Sequence, residues 1–340
     1  MSRIKIQKAG LCTTIQDIGR IGYQQFGIPV SGVMDEFAFL VGNFLVESPK
    51  NNAVLEMQFM GSTIEFYVDM SIAITGADNS PKINNKEIKM WESINVKKGD
   101  ILSFGNLKNA LRTYVAFAGE LDVPIINGSK STLMKAKMGG LNGRKLNIGD
   151  EIKIINPRLT SKKNTFPQNL IPNYSHSNEI RVVLGPQDDY FKEEGISKFF
   201  ESEYQITKDC DRMGMRLLGE TIEHKEKADI ISDAAVFGSI QVPGNGQPII
   251  LLADRQTTGG YTKIATVIKA DLYKLGQMLP GDKIKFKKLS IEEAQEEYIK
   301  FYEKLNKIKE LISESNILKL SEKQKNTYRK LFGKRRKNLI

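Results

Sequence analysis

The stretch Asp254-Arg-Gln-Thr-Thr-Gly-Gly-Tyr261 sets a carboxylate, a guanidinium, an amide and two hydroxyls ahead of two residues without side chains. Asp254, Arg255 and Gln256 can grip a planar, oxygen-rich group, because a guanidinium meets a carboxylate or phosphate with two parallel N–H bonds. A turn through Thr257, Thr258, Gly259 and Gly260 would let backbone N–H groups approach an anion closely. Asp254, Arg255, Thr257 and Thr258 are therefore catalytic candidates, with Gln256, Gly259, Gly260 and Tyr261 as binding candidates. A hairpin loop whose Asp and Thr side chains satisfy their own backbone accounts for the same pattern.

A second polar, glycine-punctuated stretch runs from Leu11 through Asp17, Arg20, Tyr23 and Gln24 to Ser31 and Asp35. Asp17 and Arg20 are close enough in sequence to pair around a turn. Either they form a buried structural ion pair, or Arg20 binds a carboxylate or phosphate while Asp17 orients it, which makes Asp17 a further catalytic candidate and Arg20, Tyr23, Gln24, Ser31 and Asp35 binding candidates. A third stretch, Gly128-Ser-Lys-Ser-Thr132 followed by Met138-Gly-Gly-Leu-Asn-Gly-Arg144, has the composition of an anion nest. Ser129, Lys130, Ser131, Thr132 and Arg144 are its candidates. Neither Gly-x-x-x-x-Gly-Lys-[Ser/Thr] nor Gly-x-Gly-x-x-Gly occurs, so a nucleotide would need some other device.

Histidine and cysteine narrow the chemistry. The chain has 2 His and 2 Cys. His176 and His224 stand beside no nucleophile and in no ligand-spaced pair, and read as solvated surface residues. Ser-His-Asp, Cys-His and His-rich metal mechanisms are disfavoured, and no metal site is expected. Cys12 and Cys210 are too few for a disulfide framework or a zinc site.

These candidates need a scaffold, and the rest of the chain reads as mainly β. At 340 residues, 40% hydrophobic and 26% charged, it suits two globular domains. Short apolar runs separated by turns (4–6, 62–68, 72–74, 101–104, 113–118, 151–155) predict strands in a barrel or sandwich over 1–156. Helical spacing predicts one helix over 34–46, which Asp35 caps or opens. A polar connector, 157–178, leads to a second β domain over 179–289. It has strands at 179–184, 204–207 and 248–253, a helix at 190–200 and a helical turn at 272–279. The turns at Gly99-Asp100, Gly149-Asp150 and Gly281-Asp282 resemble one another, as two barrels of one type would require.

From Ser290 the character changes. Ser290-Ile-Glu-Glu293 is a capping box opening an amphipathic helix over 291–311, and a second amphipathic segment covers 321–332 before Gly333-Lys-Arg-Arg-Lys337. Residues 283–340 hold 17 Lys and Arg against 8 Glu, so +9 of the net +10 lies there. A basic tail on a nearly neutral body argues against nucleic acid as the main partner. No apolar run approaches the ~20 residues of a membrane span, and the N-terminus lacks a secretory core. Cytoplasm is the expected location.

Seven motifs together resemble one family. They are Thr13-Thr-x-Gln-Asp-x-Gly-Arg-x-Gly-Tyr-Gln24, Pro29-x-Ser-Gly-x-Met-Asp35, Thr75-Gly-Ala-Asp78, Gly128-Ser-x-Ser-Thr132, Arg212-Met-Gly-x-Arg-Leu217, Gly238-x-Ile-Gln-Val-Pro243 and the 254–261 stretch. In this combination and order the chain is similar to the biotin-dependent carboxyltransferase / allophanate hydrolase subunit 2 family. That family includes the C subunit of 5-oxoprolinase, KipA-type regulators and the carboxyltransferase part of urea carboxylase. Lys130 stands where the family has Arg. The resemblance implies two cyclophilin-like β-barrel domains with the helical basic tail as an extension. It also adds Arg212 and Gln241 to the substrate- and anion-binding candidates.

The resemblance further implies one component of an ATP-dependent lactam hydrolase, active only with its partners. Those partners are a 5-oxoprolinase B-type or allophanate hydrolase subunit 1 type protein and the A-type protein of 5-oxoprolinase. Together they would open 5-oxoproline, or another small amide, to glutamate or its equivalent. ATP, with or without Mg, is expected in that complex. Biotin enters only if another protein carries it, because Met-Lys-Met is absent and Ala136-Lys-Met138 is a partial echo. Biotin-dependent carboxyl transfer to urea or a similar amide, and a regulator that works by binding its partner, are the alternatives.

Overall fold

The computed structural model describes residues 2–314. The N-terminal half covers its core with two antiparallel sheets. One has seven strands, ordered Glu120–Leu121, Glu151–Ile155, Arg3–Lys8, Thr63–Phe66, Ile101–Ser103, Lys82–Ile83 and Lys86–Glu87. The other has five, ordered Cys12–Gln16, Val54–Gln58, Arg112–Phe117, Met70–Gly76 and Ser93–Val96. Alternation decides which face of the first sheet is inside: Ile4, Ile6, Ile64, Phe66, Ile152 and Ile154 meet Ile15, Leu55, Ile72, Ile74 and Val115 of the second.

The C-terminal half closes into a seven-stranded barrel. Its order is Ser177–Leu184, Lys263–Val267, Ser239–Gln241, Ile249–Leu251, Gly214–Leu218, Glu203–Cys210 and Lys283–Lys288. The last strand pairs with the first in parallel, which removes both free edges. A separate two-stranded ribbon, Asp229–Ala234 with Thr258–Tyr261, lies outside the ring.

Helix α1, Glu36–Leu45, packs Phe37, Ala38 and Val41 on the outer face of the five-stranded sheet. Helix α2, Glu193–Glu201, and the single turn α3, Leu272–Leu275, belong to the barrel half. Helix α4, Ile291–Glu314, runs three residues past the expected end. Ser290 and Glu293 cap it reciprocally, with N–H bonds of 2.8 and 3.1 Å. Leu305, Ile308 and Ile312 are buried in the core shared with α1, so α4 is part of the body. Among the described residues no helix is long and apolar enough to cross a membrane. The 321–332 segment and the basic cluster at 333–337 lie outside the described residues.

Polar side chains hide one strand and one connecting segment from a reading by apolar pattern. In Cys12–Gln16, Thr13, Thr14 and Gln16 are buried because polar partners receive them: Thr13 Oγ1 lies 2.8 Å from Ser62 Oγ, and Gln16 Nε2 donates to Thr132 O at 3.1 Å. The polar segment after 156 is also tied down. Asn164 and Phe166 are buried, and Phe166 packs on Trp91 and Phe37. The three Gly-Asp turns share one construction. Gly99, Gly149 and Gly281 all have φ near +90°, and Asp100, Asp150 and Asp282 each accept the N–H three residues back, at 2.8, 2.7 and 2.8 Å.

Asp35 caps α1, accepting from Ala38 N–H at 2.9 Å, and its other oxygen accepts from Tyr174 and Gln277 at 2.8 Å each. Burial pushes its carboxyl up to about 6, against those three hydrogen bonds. A raised folded pKa means that the contribution to stability is complete below the ordinary 3.8 and is lost as pH rises through about 6. Wild type should therefore lose up to about 3 kcal/mol relative to Asp35→Asn between about pH 4 and 7. Urea unfolding of both proteins across that range measures the difference, and a flat difference refutes the assignment.

Candidate functional site

Beyond Gln16 the chain turns sharply, and two glycines make the turn possible. Gly19 and Gly32 have φ of +97° and +90°, and a Cβ on either would lie 2.7 Å from Val30 O or 2.8 Å from Ile18 O. Segments 17–20 and 30–33 can therefore run against each other, joined by Arg20 N–H to Val30 O (2.7 Å) and Val33 N–H to Asp17 O (2.9 Å).

Asp17 is the anchor of this corner. Its Oδ1 accepts from Ser129 Oγ at 2.5 Å, from Ser131 Oγ and from Gly19 N–H, while Oδ2 accepts from Lys130 N–H at 2.6 Å. One buried carboxylate thus holds the whole 129–131 loop. Thr132 Oγ1 donates to Ile15 O at 3.0 Å, and the Lys130 ammonium turns away to Leu121 O at 2.9 Å. The hydroxyls expected to cradle an anion are committed within the chain. Gly140 N–H, bonded to Lys130 O at 2.9 Å, supports the loop from behind.

The early and late corners meet directly. Ser31 N–H donates to Ala253 O at 3.0 Å, and Ser31 Oγ donates to Asp254 Oδ1 at 2.7 Å. Asp254 receives Arg212 as a fork, Nε at 2.9 Å and Nη2 at 3.0 Å. Arg212 also donates to Gly32 O at 2.5 Å and to Glu56 Oε1. Glu56 Oε2 accepts from Tyr114 Oη and Met34 N–H at 2.9 Å each, and Arg112 lies 3.5 Å away. Glu56, Arg112, Arg212 and Asp254 are all buried. Burial alone would lower the Arg212 pKa, but Asp254 and Glu56 hold it above its ordinary value.

Two other guanidiniums lack such partners. Arg20 is fully buried and does not pair with Asp17. It donates through Nη2 to Ser131 O, while Nε and Nη1 have no partner. Arg255, 5% exposed, is held by Ala235 O (3.1 Å, from Nε) and Leu252 O (3.3 Å, from Nη1). Among the described residues no carboxylate lies within ion-pair distance of it. Burial lowers the pKa of both, that of Arg255 to about 10; Asp17 and then Asp254 offset this in part for Arg20, and Asp254 does so for Arg255. Both remain cationic at neutral pH, and such a cation favours an incoming anion.

A cavity of about 400 Å³ borders Ser31 and Arg255. A second, of about 520 Å³, lies on the outer face of the barrel against Gln241, Gln256 and Tyr261. The stretch that begins at Asp254 therefore serves two cavities. The turn expected through 257–260 is a strand instead: Thr258–Tyr261 pairs with Asp229–Ala234, and neither Gly259 nor Gly260 has positive φ. Gly259 gives room to the Gln241 amide, since a Cβ there would sit 2.3 Å from Gln241 Nε2 unless that side chain moved.

Other candidates lie elsewhere. Arg144 forms a bidentate surface pair with Asp150, at 2.7 and 2.9 Å. Asp35 is a buried helix cap, and Tyr23 and Gln24 sit in a half-buried surface turn. His224 is not solvated as expected: its ring stacks on Phe191 and its Nε2 lies 3.0 Å from Thr262 Oγ1, with the pKa lowered by burial. Sequence pattern missed Glu56 and Arg112, each on a strand whose neighbours are apolar. It also missed Lys263, 2% exposed and 2.9 Å from Asp233. A charged residue inside an apolar strand run was the available signal.

The family model for the carboxyltransferase domain, subdomain A and B, matches residues 26–288. The chain belongs to this family. It is 36% identical over 291 residues to the C subunit of 5-oxoprolinase from Escherichia coli, covering 86% of this chain and 93% of that one. The Haemophilus influenzae protein of the same name is 36% identical over 304 residues, 89% and 96% of the two chains. Urea amidolyase of Saccharomyces cerevisiae is 33% identical over 86% of this chain but only 17% of its own length. The crystal structure of Kluyveromyces lactis urea amidolyase superposes with a TM-score of 0.86 at 31% identity, over 90% of this chain and 20% of that one. The carboxyltransferase fold thus occurs both as a near full-length match and as a small part of a large enzyme. Helix α4 lies beyond the segment that the family model matches, although the similarity to the Haemophilus influenzae protein, over 89% of this chain, extends into it.

The charge cluster gives a stability test. Glu56→Ala would strand two buried guanidiniums and a phenol, and should cost about 3–5 kcal/mol. Arg144→Ala, which breaks a surface pair, should cost less than about 1 kcal/mol. Urea denaturation of the two variants should show that contrast, and equal losses would mean the buried cluster is not what joins the halves.

Proposed function

We propose that this chain is the C subunit of an ATP-dependent 5-oxoprolinase, a cytoplasmic assembly in which it acts with A-type and B-type partners. The observation that carries the reading is Arg255, a buried guanidinium that borders the cavity of about 400 Å³ and, among the described residues, has no carboxylate within ion-pair distance. A substrate carrying a carboxylate, activated through phosphate, needs such donors. The near full-length similarity to two proteins named as C subunits of 5-oxoprolinase supports the same conclusion.

A lactam is a stable amide, and water opens it only once the carbonyl has been activated. ATP supplies that activation as a phosphoryl donor. The Arg255 guanidinium at the cavity edge suits a carboxylate or phosphate oxygen, whereas the sequence has no phosphate-binding glycine motif. The nucleotide is therefore assigned to the partner proteins. In this chain Arg255, which borders the cavity of about 400 Å³, holds the substrate carboxylate, while Arg20, fully buried, braces the 129–131 loop through Ser131 O. Asp254, fixed by Arg212 and Ser31, keeps both guanidiniums charged and positions the corner. It is a positioning residue.

Biotin-dependent carboxyl transfer is a second reading, favoured by the 0.86 TM-score to urea amidolyase. It requires biotin on another protein and predicts avidin-sensitive incorporation of bicarbonate. Arg255→Ala in the reconstituted three-protein complex separates the two. Under the proposal, ATP-dependent glutamate formation should fall by about a hundredfold or more while the melting temperature stays near wild type. Full activity in that variant, or no turnover of 5-oxoproline by the wild-type complex, would defeat it.

A further inference from the structure

The cavity beside Arg255 is finished by a helix that the family match does not include. Residues 26–288 supply most of the lining, including Arg255, Ser31, Tyr273 and the Glu36–Lys269 ion pair, Ile18 and Ile21 add to it from before that segment, and Phe301 and Tyr302 of α4 close one side. The wall is fastened at several points. Tyr302 Oη donates to Glu36 at 2.8 Å, Arg181 bridges Glu297 (2.6 Å) and Asp271 (2.7 Å), and Leu305, Ile308 and Ile312 are buried. Phe301 lies nearly parallel to Tyr273, at 21° with ring centroids 5.9 Å apart.

We propose that α4 completes a binding site for a small ring carboxylate and sets the ring size that the site accepts. Arg255 offers Nη2 to the carboxylate, since its Nε–H and one Nη1–H are engaged with Ala235 O and Leu252 O. The Phe301 and Tyr302 rings, set edge to face at 88°, give an apolar corner that a saturated ring packs into. Ser31 Oγ donates to Asp254 and keeps an acceptor lone pair for a ring N–H. The inference rests on the 5-oxoprolinase reading, with 5-oxoproline as the ring acid. It adds that specificity is written in a segment outside the family's matched core.

The test compares Phe301→Ala and Phe301→Trp in the whole chain assembled with its partner proteins. Phe301→Ala should raise KM for 5-oxoproline about tenfold, with kcat within about twofold. It should also gain turnover of the six-membered homologue, 6-oxopiperidine-2-carboxylate, which wild type should reject. Phe301→Trp fills the same space and should raise KM for 5-oxoproline without admitting the larger ring, so the inference stays testable if the alanine variant does not fold. Folded variants with wild-type KM and ring preference would overturn the role of α4 while leaving 5-oxoprolinase activity intact. A wild-type complex that does not turn over 5-oxoproline would overturn the parent reading instead.

Discussion

The two halves of this molecule are held in register by one buried ionic cluster, in which Arg212 reaches Asp254 on the barrel side and Glu56 and Gly32 O on the sheet side. Buried charges are costly unless every donor and acceptor is met, so the cluster tolerates little displacement of either half. Each carboxylate oxygen has a partner: Glu56 takes Tyr114 and Met34 N–H, and Asp254 takes Ser31. Arg112 extends the same joint by donating to Gly276 O at 2.6 Å, just beyond α3. The result is a rigid seam between two β structures that have separate cores.

What the seam leaves uncompensated is as informative as what it satisfies. Arg20 and Arg255 flank it without carboxylate partners of their own, although both are buried. A rigid seam can hold such groups in place, since the cost of burying them is met by interactions elsewhere in the fold. Catalytic sites commonly have this character: donors kept short of partners until the ligand arrives. Asp17 plays the opposite part. It is saturated by its own loop, which turns the 129–132 hydroxyls from ligand donors into scaffold.

Much of the fold was legible because its signals are local. Strand 151–155 was read to the residue, and the helices at 36–45 and 291–314 follow from apolar spacing and from Asp35 and Ser290 as caps. The three Gly-Asp turns were legible for the same reason, since positive φ and an Asp reaching back three residues need no distant partner. Cys12–Gln16 was illegible as a strand because its buried side chains are polar, matched by Ser62 and Thr132 far along the chain. The 257–260 stretch misled in the opposite direction. Two hydroxyls and two glycines look like a turn, yet Gly259 exists to make room for Gln241, a neighbour in space.

The order and identity of the motifs were enough to determine the family, the mainly β class and the residue types available for chemistry, because those are properties of composition and short-range spacing. Only the tertiary structure decided which of those residues remain free. Asp17, Ser129 and Ser131 spend their hydrogen bonds on one another and Arg212 spends its own on the seam, whereas Arg20 and Arg255 bond only to backbone carbonyls among the described residues. Whether a buried polar group is satisfied depends on atoms supplied from more than a hundred residues away, and no local pattern records that distance.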